Sequence, residues 1–323
     1  AETVRQSLKN GMPRTARSVF SDLVERIGGT PDLGSGSRLS EDLDLDSLSR
    51  VELLSALEDR CQIDLDEGAF TESATIGDIE KLMRPAITRP SELPLFTYPL
   101  WPLRLPVVWV RSAFYYLVVF PLTRLLCRAE IRGVEHLNSL EGSVLFASNH
   151  ITHGDPALIL SVLPRRFRHR MAIAMDGEML AGFRHPPSET PFFSRILSFF
   201  KYWSVLTFFN AFPLPRLSGF RRSFAFAGEA MDRGFNVMIF PEGELTKDGK
   251  MHDFRAGVGL LAAGLRSPVV PVRIDGLWDL KKHGQRYYAP PRSVKVTFAC
   301  PVFFRHGESP SDFAKRLEEN MPK

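Results

Sequence analysis

The chain has 323 residues, 44% of them hydrophobic and 24% charged, with a formal net charge of +4. That balance supports folded cores, about two domains' worth, and excludes a wholly disordered or collagen-like chain. Three scattered cysteines, Cys61, Cys127 and Cys300, make neither a disulfide framework nor a zinc ribbon, so a reducing compartment fits.

The charge is divided unevenly. Residues 1–85 hold 10 Lys/Arg against 17 Asp/Glu, and residues 86–323 hold 31 against 20. An acidic unit is thus joined to a basic one, and the two can attract each other in a salt-dependent way. The basic part can also attract anionic lipid or phosphate; nucleic acid is not expected, because no nucleic-acid motif accompanies the charge. The chain begins at Ala1 rather than Met, as a piece of a longer protein would.

In the acidic unit, Val19, Phe20, Leu23, Val24 and Ile27 share one helical face that ends at Gly28-Gly29. Leu48, Val51, Leu54, Leu57 and Cys61 predict a second helix over 47–61. A third starts at Thr75-Ile76-Gly77-Asp78, close to a capping box, and stops before Pro85. These make a three- or four-helix bundle. Ser47 stands at the start of the second helix, within Asp44-Leu45-Asp46-Ser47-Leu48. A serine there either caps the helix or seats a phosphodiester at the positive end of the helix dipole.

Residues 84–106 carry six prolines among Leu, Phe, Tyr and Trp and read as a linker. The apolar, aromatic stretch 107–127 follows, interrupted by Arg111 and Arg124 with 12 uncharged residues between them. That run is short of the ~18–20 residues that span a bilayer, and Pro121 weakens it further, so an interfacial or re-entrant helix pair is expected. The bland alternative is a buried core helix. Position and flanks exclude a secretory signal. A second aromatic stretch, 191–212, has Arg195 and Lys201 among its rings and favours a headgroup zone.

Apolar β-type runs at 143–148, 171–175, 237–240, 269–274 and 294–298 alternate with helical patterns such as 157–163 and 222–231. Alternation of this kind predicts an α/β domain with a largely parallel sheet, whose ligands bind beyond the carboxyl ends of the strands. Strand 143–148 runs into Asn149-His150-Ile151-Thr152-His153-Gly154-Asp155-Pro156. His150 and Asp155 meet only if this segment turns, which Gly154 permits; the pair then has the form of a carboxylate-oriented general base. Otherwise Asp155 only caps its helix. A metal on His150 and His153 lacks third and fourth ligands, and no metal is expected. Phe240-Pro241-Glu242-Gly243 follows the strand at 237–240 and leaves Glu242 at its mouth. Phe212-Pro213-Leu214-Pro215-Arg216 offers Arg216 as a phosphate clamp or a solvated surface residue. Val269-Val270-Pro271-Val272 reads as a buried strand with an edge or bulge proline.

Leu45-Asp46-Ser47-Leu48 together with Ala74-Thr75-Ile76-Gly77-Asp78-Ile79 resembles the acyl carrier protein family. The resemblance implies a 4′-phosphopantetheine arm covalently attached to Ser47, installed by a phosphopantetheinyl transferase and carrying an acyl thioester. Asn-His-x4-Asp-Pro at 149–156, Phe-x-x-x-Arg at 212–216, Phe-Pro-Glu-Gly at 240–243 and Val-Val-Pro-Val at 269–272 resemble, in order, the glycerolipid acyltransferases that act on 1-acylglycerol 3-phosphate. That resemblance makes His150 the catalytic base and Asp155 its orienting acid. Glu242 and Gly243 would shape the acceptor pocket, and Arg216 would hold its phosphate. The family commonly continues with Thr-Arg-Ser, where this chain has Glu244-Leu245-Thr246, a lost cation and a gained anion.

The expected organisation is a small all-α carrier bundle at 1–84, a Pro-rich linker with interfacial helices at 85–128, and an α/β acyltransferase domain at 129–323. The expected activity is transfer of a fatty acyl group from the carrier thioester to a hydroxyl of a lysophospholipid or related lipid acceptor, at the cytoplasmic face of a membrane, peripheral or monotopic. An acyl-CoA donor with a regulatory carrier, and a non-catalytic membrane-bound carrier scaffold, are the rivals. Domain logic leaves room for an upstream acyl-activating domain.

Overall fold

A computed structural model of the chain describes residues 96–187, 189–215, 220–278 and 293–322. The expected carrier bundle, including Ser47, and the clamp residue Arg216 lie outside the described residues. Nearly all of the described residues belong to one compact unit, spanning 95–216 and 222–323.

After a 3-10 turn at Trp101–Leu103, helix α1 runs without a break over Leu105–Leu126. Its middle, Tyr115–Val119, is a π-helical turn in which the Phe120 amide bonds back to the Tyr115 carbonyl. The wider turn absorbs Pro121, whose ring would clash with a carbonyl four residues back in a regular helix. The expected helix pair is therefore a single helix, long and apolar enough by length and composition to cross a bilayer. Arg111 is the other reason. It does not interrupt the apolar face, because its side chain turns inward and is fully buried. Nε donates to the Thr207 carbonyl at 2.8 Å and Nη2 to the Pro102 carbonyl at 2.9 Å.

The remaining elements build one sheet and its covering helices. In chain order they are β1 (Arg128–Arg132), β2 (Leu145–Ser148), α2 (Asp155–Val162), the single turn α3 (Arg165–Arg168), β3 (Met171–Asp176) and α4 (Gly177–Arg184). Then come α5 (Phe192–Phe209), β4 (Ala211–Leu214), α6 (Phe220–Asp232), β5 (Asn236–Ile239), α7 (Gly257–Leu265), β6 (Val269–Asp275), β7 (Ser293–Phe298) and α8 (Pro310–Glu319). The strand order is β1-β7-β6-β2-β5-β3-β4, and every neighbouring pair is parallel except β6 with β7. The expected α/β class with a largely parallel sheet is what this domain has.

Apolar cores lie on both faces of the sheet. Ala147, Ala172, Val237, Ile239 and Val269 pack with α6, α7 and α8 residues such as Ala227, Leu261 and Phe313. Phe146, Met171, Met238, Val270 and Val296 pack with α1 and α2 residues such as Tyr115, Val119, Leu158 and Ile159. Pro271 sits in β6, an interior strand, so the edge reading fails and the bulge reading holds. Val269 pairs with Val302 and Val272 with Phe298, three steps against four, and the irregular ladder there asks no amide of the proline.

The outer faces of α1 and α5 stay apolar and open. Trp109, Leu117 and Leu125 on α1, and Phe192, Phe193 and Phe200 on α5, are all at least 60% exposed. The two helices touch through the Phe114–Phe208 stack, with centroids 3.9 Å apart.

Candidate active site

The site lies at the carboxyl ends of β2 and β5. These strands are adjacent and parallel, with Ala147 opposite Ile239. His150 and Glu242 each stand three residues past that pair, so strand pairing brings together two motifs that are distant in sequence. The Glu242 carboxylate accepts the His150 amide at 2.8 Å and, through its other oxygen, the His252 amide at 2.9 Å.

Between β2 and α2 the chain turns, as the His150–Asp155 pairing requires. Asp155 is fully buried and is the first residue of α2, with Pro156 behind it. Its carboxylate does not cap its own helix; it folds back over the turn. Oδ2 lies 2.9 Å from His150 Nδ1 and accepts the amides of Ile151 at 2.6 Å and Thr152 at 2.9 Å. Oδ1 accepts the Thr152 hydroxyl at 2.8 Å. Four partners offset the desolvation of the buried charge. They also fix the imidazole: with Nδ1 engaged, Nε2 is the nitrogen left free to accept a proton. The ring is stacked on Phe240, with centroids 4.0 Å apart and 23° between planes, and its side chain is 18% exposed.

Burial pushes the Glu242 carboxyl above its usual range, while the amide donors from His252 and His150 pull the other way. Gly243 closes the turn with its amide on the Phe240 carbonyl at 3.0 Å. It has φ +74°, and a Cβ there would meet Arg255 Nε at 2.7 Å. The departure at 244–246 also has a structural use. Glu244 pairs with Lys247 at 3.1 Å, which neutralises the gained anion locally. Thr246 is buried and donates its amide to the His150 carbonyl at 2.9 Å.

His150, Glu242 and Thr246 line an open cleft together with Asn149, Lys250 and Trp278. Arg273 and Asp275, paired at 2.8 Å, also line it. The sequence motifs contained Asn149, Thr152 and Phe240 without giving them roles. Asn149 extends the β2–β6 ladder with its side chain: Nδ2 donates to the Ile274 carbonyl at 3.0 Å, and Oδ1 accepts the Ile274 amide at 2.8 Å. His153 lies 6.5 Å from His150, ring to ring. Among the described residues no cluster of three or more His, Cys, Asp or Glu could hold a metal ion.

Comparison with known proteins bears on both halves. The family described as Acyltransferase matches residues 128–275, and the family described as Phosphopantetheine attachment site matches residues 17–83. The chain is 32% identical over 88 residues to an acyl carrier protein of Streptomyces coelicolor, covering 96% of that protein and 25% of this chain. It is 29% identical over 94 residues to the chloroplastic 1-acyl-sn-glycerol-3-phosphate acyltransferase BAT2 of Brassica napus. That match spans 29% of this chain and only 27% of the plant protein. The crystal structure of the 1-acyl-sn-glycerophosphate acyltransferase PlsC from Thermotoga maritima aligns at 22% identity and a TM-score of 0.46, over 66% of this chain and 76% of that one.

Proposed function

This chain belongs to the acyl carrier protein family and joins that carrier to an acyltransferase domain, and from that premise we propose that it is an O-acyltransferase whose donor is its own carrier. Covalent 4′-phosphopantetheine belongs to the carrier domain; its thiol holds the acyl group as a thioester, and Ser47 is the residue we assign to its attachment. The proposed boundaries are 1–84 for the carrier, 85–128 for the linker with its membrane-contacting helix, and 129–323 for the acyltransferase. The acceptor is a lysophospholipid or related lipid with a free hydroxyl.

His150 Nε2 takes the proton of the acceptor hydroxyl. Asp155 holds the ring through Nδ1 and stabilises the imidazolium that forms. The hydroxyl oxygen attacks the thioester carbonyl, the carbon–sulfur bond breaks, and the imidazolium returns its proton to the departing sulfur. Tethering donor and catalyst on one chain replaces diffusional capture by a high effective concentration. Glu242 and Gly243 shape the cleft, and Arg216 is the candidate to hold a phosphate. The open aromatic faces of α1 and α5 bring the cleft to the cytoplasmic face of a membrane, where the acceptor lies. A phosphopantetheinyl transferase installs the arm, and an acyl-activating domain or enzyme loads it.

The observation that carries this reading is the 2.9 Å contact between His150 Nδ1 and Asp155 at the wall of a cleft. The test is a single-turnover transfer from the holo chain, loaded with labelled fatty acyl, to lysophospholipid in vesicles. Label should move to lipid in the wild type and stay on the carrier in His150→Ala. Ser47→Ala should accept no label. Undiminished transfer from acyl-CoA by Ser47→Ala, with no carrier-bound acyl in the wild type, would replace the in-cis donor by acyl-CoA.

A further inference from the structure

One concentration of charge is not used by this mechanism. The segment Pro164-Arg165-Arg166-Phe167-Arg168-His169-Arg170 holds four arginines and a histidine and no acid. It forms α3 and the approach to β3, at the end of the sheet opposite His150. Among the described residues no carboxylate makes an ion pair with any of the four arginines. Arg165, Arg166 and Arg170 are exposed.

The cluster is built against α1. The guanidinium groups of Arg165 and Arg168 lie 5.8 and 5.1 Å from the centre of the Tyr116 ring. Arg168 Nη2 donates to the Tyr116 hydroxyl at 2.7 Å, and His169 Nε2 is 3.0 Å from the same oxygen. Desolvation first, then Arg168 and Arg165, push the His169 imidazole below its usual value, so the ring adds little charge. Tyr116 is 40% exposed, next to Leu117 at 77%, and two helical turns from Trp109 at 69%. Arg165 and Arg168 therefore flank the apolar face of α1, whereas Arg166 donates to the Leu137 carbonyl and lies over the Phe167 ring, and Arg170 lies beside Gly234. An aromatic ring with a polar tip, ringed by guanidinium forks, suits the level at which lipid phosphates sit.

We propose that Arg165 and Arg168, gathered around Tyr116, form a contact site for the phosphates of anionic phospholipids, so that attachment depends on the anionic lipid content of the bilayer. The inference rests on the membrane contact proposed above and adds which lipid that contact selects. Each exposed arginine near an anionic surface should change partitioning by about fivefold.

The test is flotation of the full holo chain with vesicles of phosphatidylcholine alone, or of phosphatidylcholine with phosphatidylglycerol. The wild type should float better with phosphatidylglycerol, and the gain should shrink with salt. Arg165→Gln should cut that gain by about fivefold while leaving flotation with phosphatidylcholine alone unchanged. Trp109→Ser should weaken flotation with both. Equal gain in Arg165→Gln and the wild type would overturn the site, as would a loss of the same size on both vesicles. Wild-type protein that floats equally with both vesicles sinks the arginine site alone; wild-type protein that floats with neither sinks the membrane contact and the site with it.

Discussion

His150 and Asp155 face each other across a turn of the chain, imidazole Nδ1 to carboxylate Oδ2 at 2.9 Å. The same carboxylate holds the turn itself through the amides of Ile151 and Thr152. One buried acid therefore orients the base and shapes the backbone that carries it. Asp155→Asn should do two kinds of damage: the amide cannot stabilise an imidazolium, and its NH2 must face a donor. Transfer from the loaded carrier should fall by about 10²–10⁴ in both His150→Ala and Asp155→Asn. Only Asp155→Asn should also lower the unfolding midpoint. Single-turnover transfer and thermal unfolding separate the two effects.

Glu242 gives a pH-dependent signature. Its carboxyl is pushed above the usual value of 4.5 by burial. A carboxyl whose folded pKa is raised binds its proton more tightly in the folded state. It contributes stability below 4.5, and that contribution is lost as the pH rises through the folded value. The stability of the wild type relative to Glu242→Gln should therefore decline with rising pH across this window, read from denaturant titrations at each pH. The variant should still transfer poorly, because a single amide oxygen cannot accept both the His150 and the His252 amides. A stability difference that is flat with pH would contradict this account.

What the sequence made legible was local. The turn from β2 into α2 could be read from Gly154 and Pro156 after an apolar run, because its determinants lie within eight residues. The pairing of Asn149 with Ile274 could not, because it spans 125 positions and depends on strand order. The same holds for Glu242, whose role at the His150 backbone follows from β2 lying beside β5. The strands β1 and β4 went unread for another reason: both are sheet edges. Edge strands are short and tolerate charge and proline: Arg-Ala-Glu-Ile-Arg is charged and mostly exposed, and Ala-Phe-Pro-Leu, though apolar and buried, is four residues long and holds a proline. The continuity of α1 was hidden because a charged residue and a proline look like interruptions, and neither is one once Arg111 points inward and a π turn precedes Pro121.

The packing of α7 on α8 depends on the lack of a side chain at Gly259. A Cβ there would stand 2.1 Å from the Pro310 carbonyl oxygen and 2.6 Å from its Cα, both backbone atoms. No rotamer relieves such a contact, so α8 must shift and open the cluster around Phe313, Ala314 and Leu317. Gly259→Ala should destabilise the domain by about 1–3 kcal/mol even though alanine is the better helix former. Gly264→Ala, in the same helix with nothing within 4 Å of its Cβ, is the control and should be neutral or stabilising. Denaturant titration of both variants checks the contrast.

Arg111 ties α1 to the carboxyl-terminal turn of α5. Its guanidinium donates to the Thr207 carbonyl, one of the last in that helix, where the helix dipole favours a cation. The Pro102 carbonyl takes a second bond. Arg111→Ala should leave both carbonyls short of a donor and open a cavity between two helices. Each buried acceptor left unpaired costs about 1–3 kcal/mol, so the unfolding midpoint should drop markedly. Arg111→Lys should rescue only part of this loss, because one ammonium cannot reproduce two bonds that leave a planar fork in fixed directions. Arg124, exposed on the same helix, supplies the contrast: Arg124→Ala should leave the unfolding midpoint nearly unchanged. Equal, small effects of the Arg111 and Arg124 substitutions would mean that the inward turn of Arg111 does not hold the two helices together.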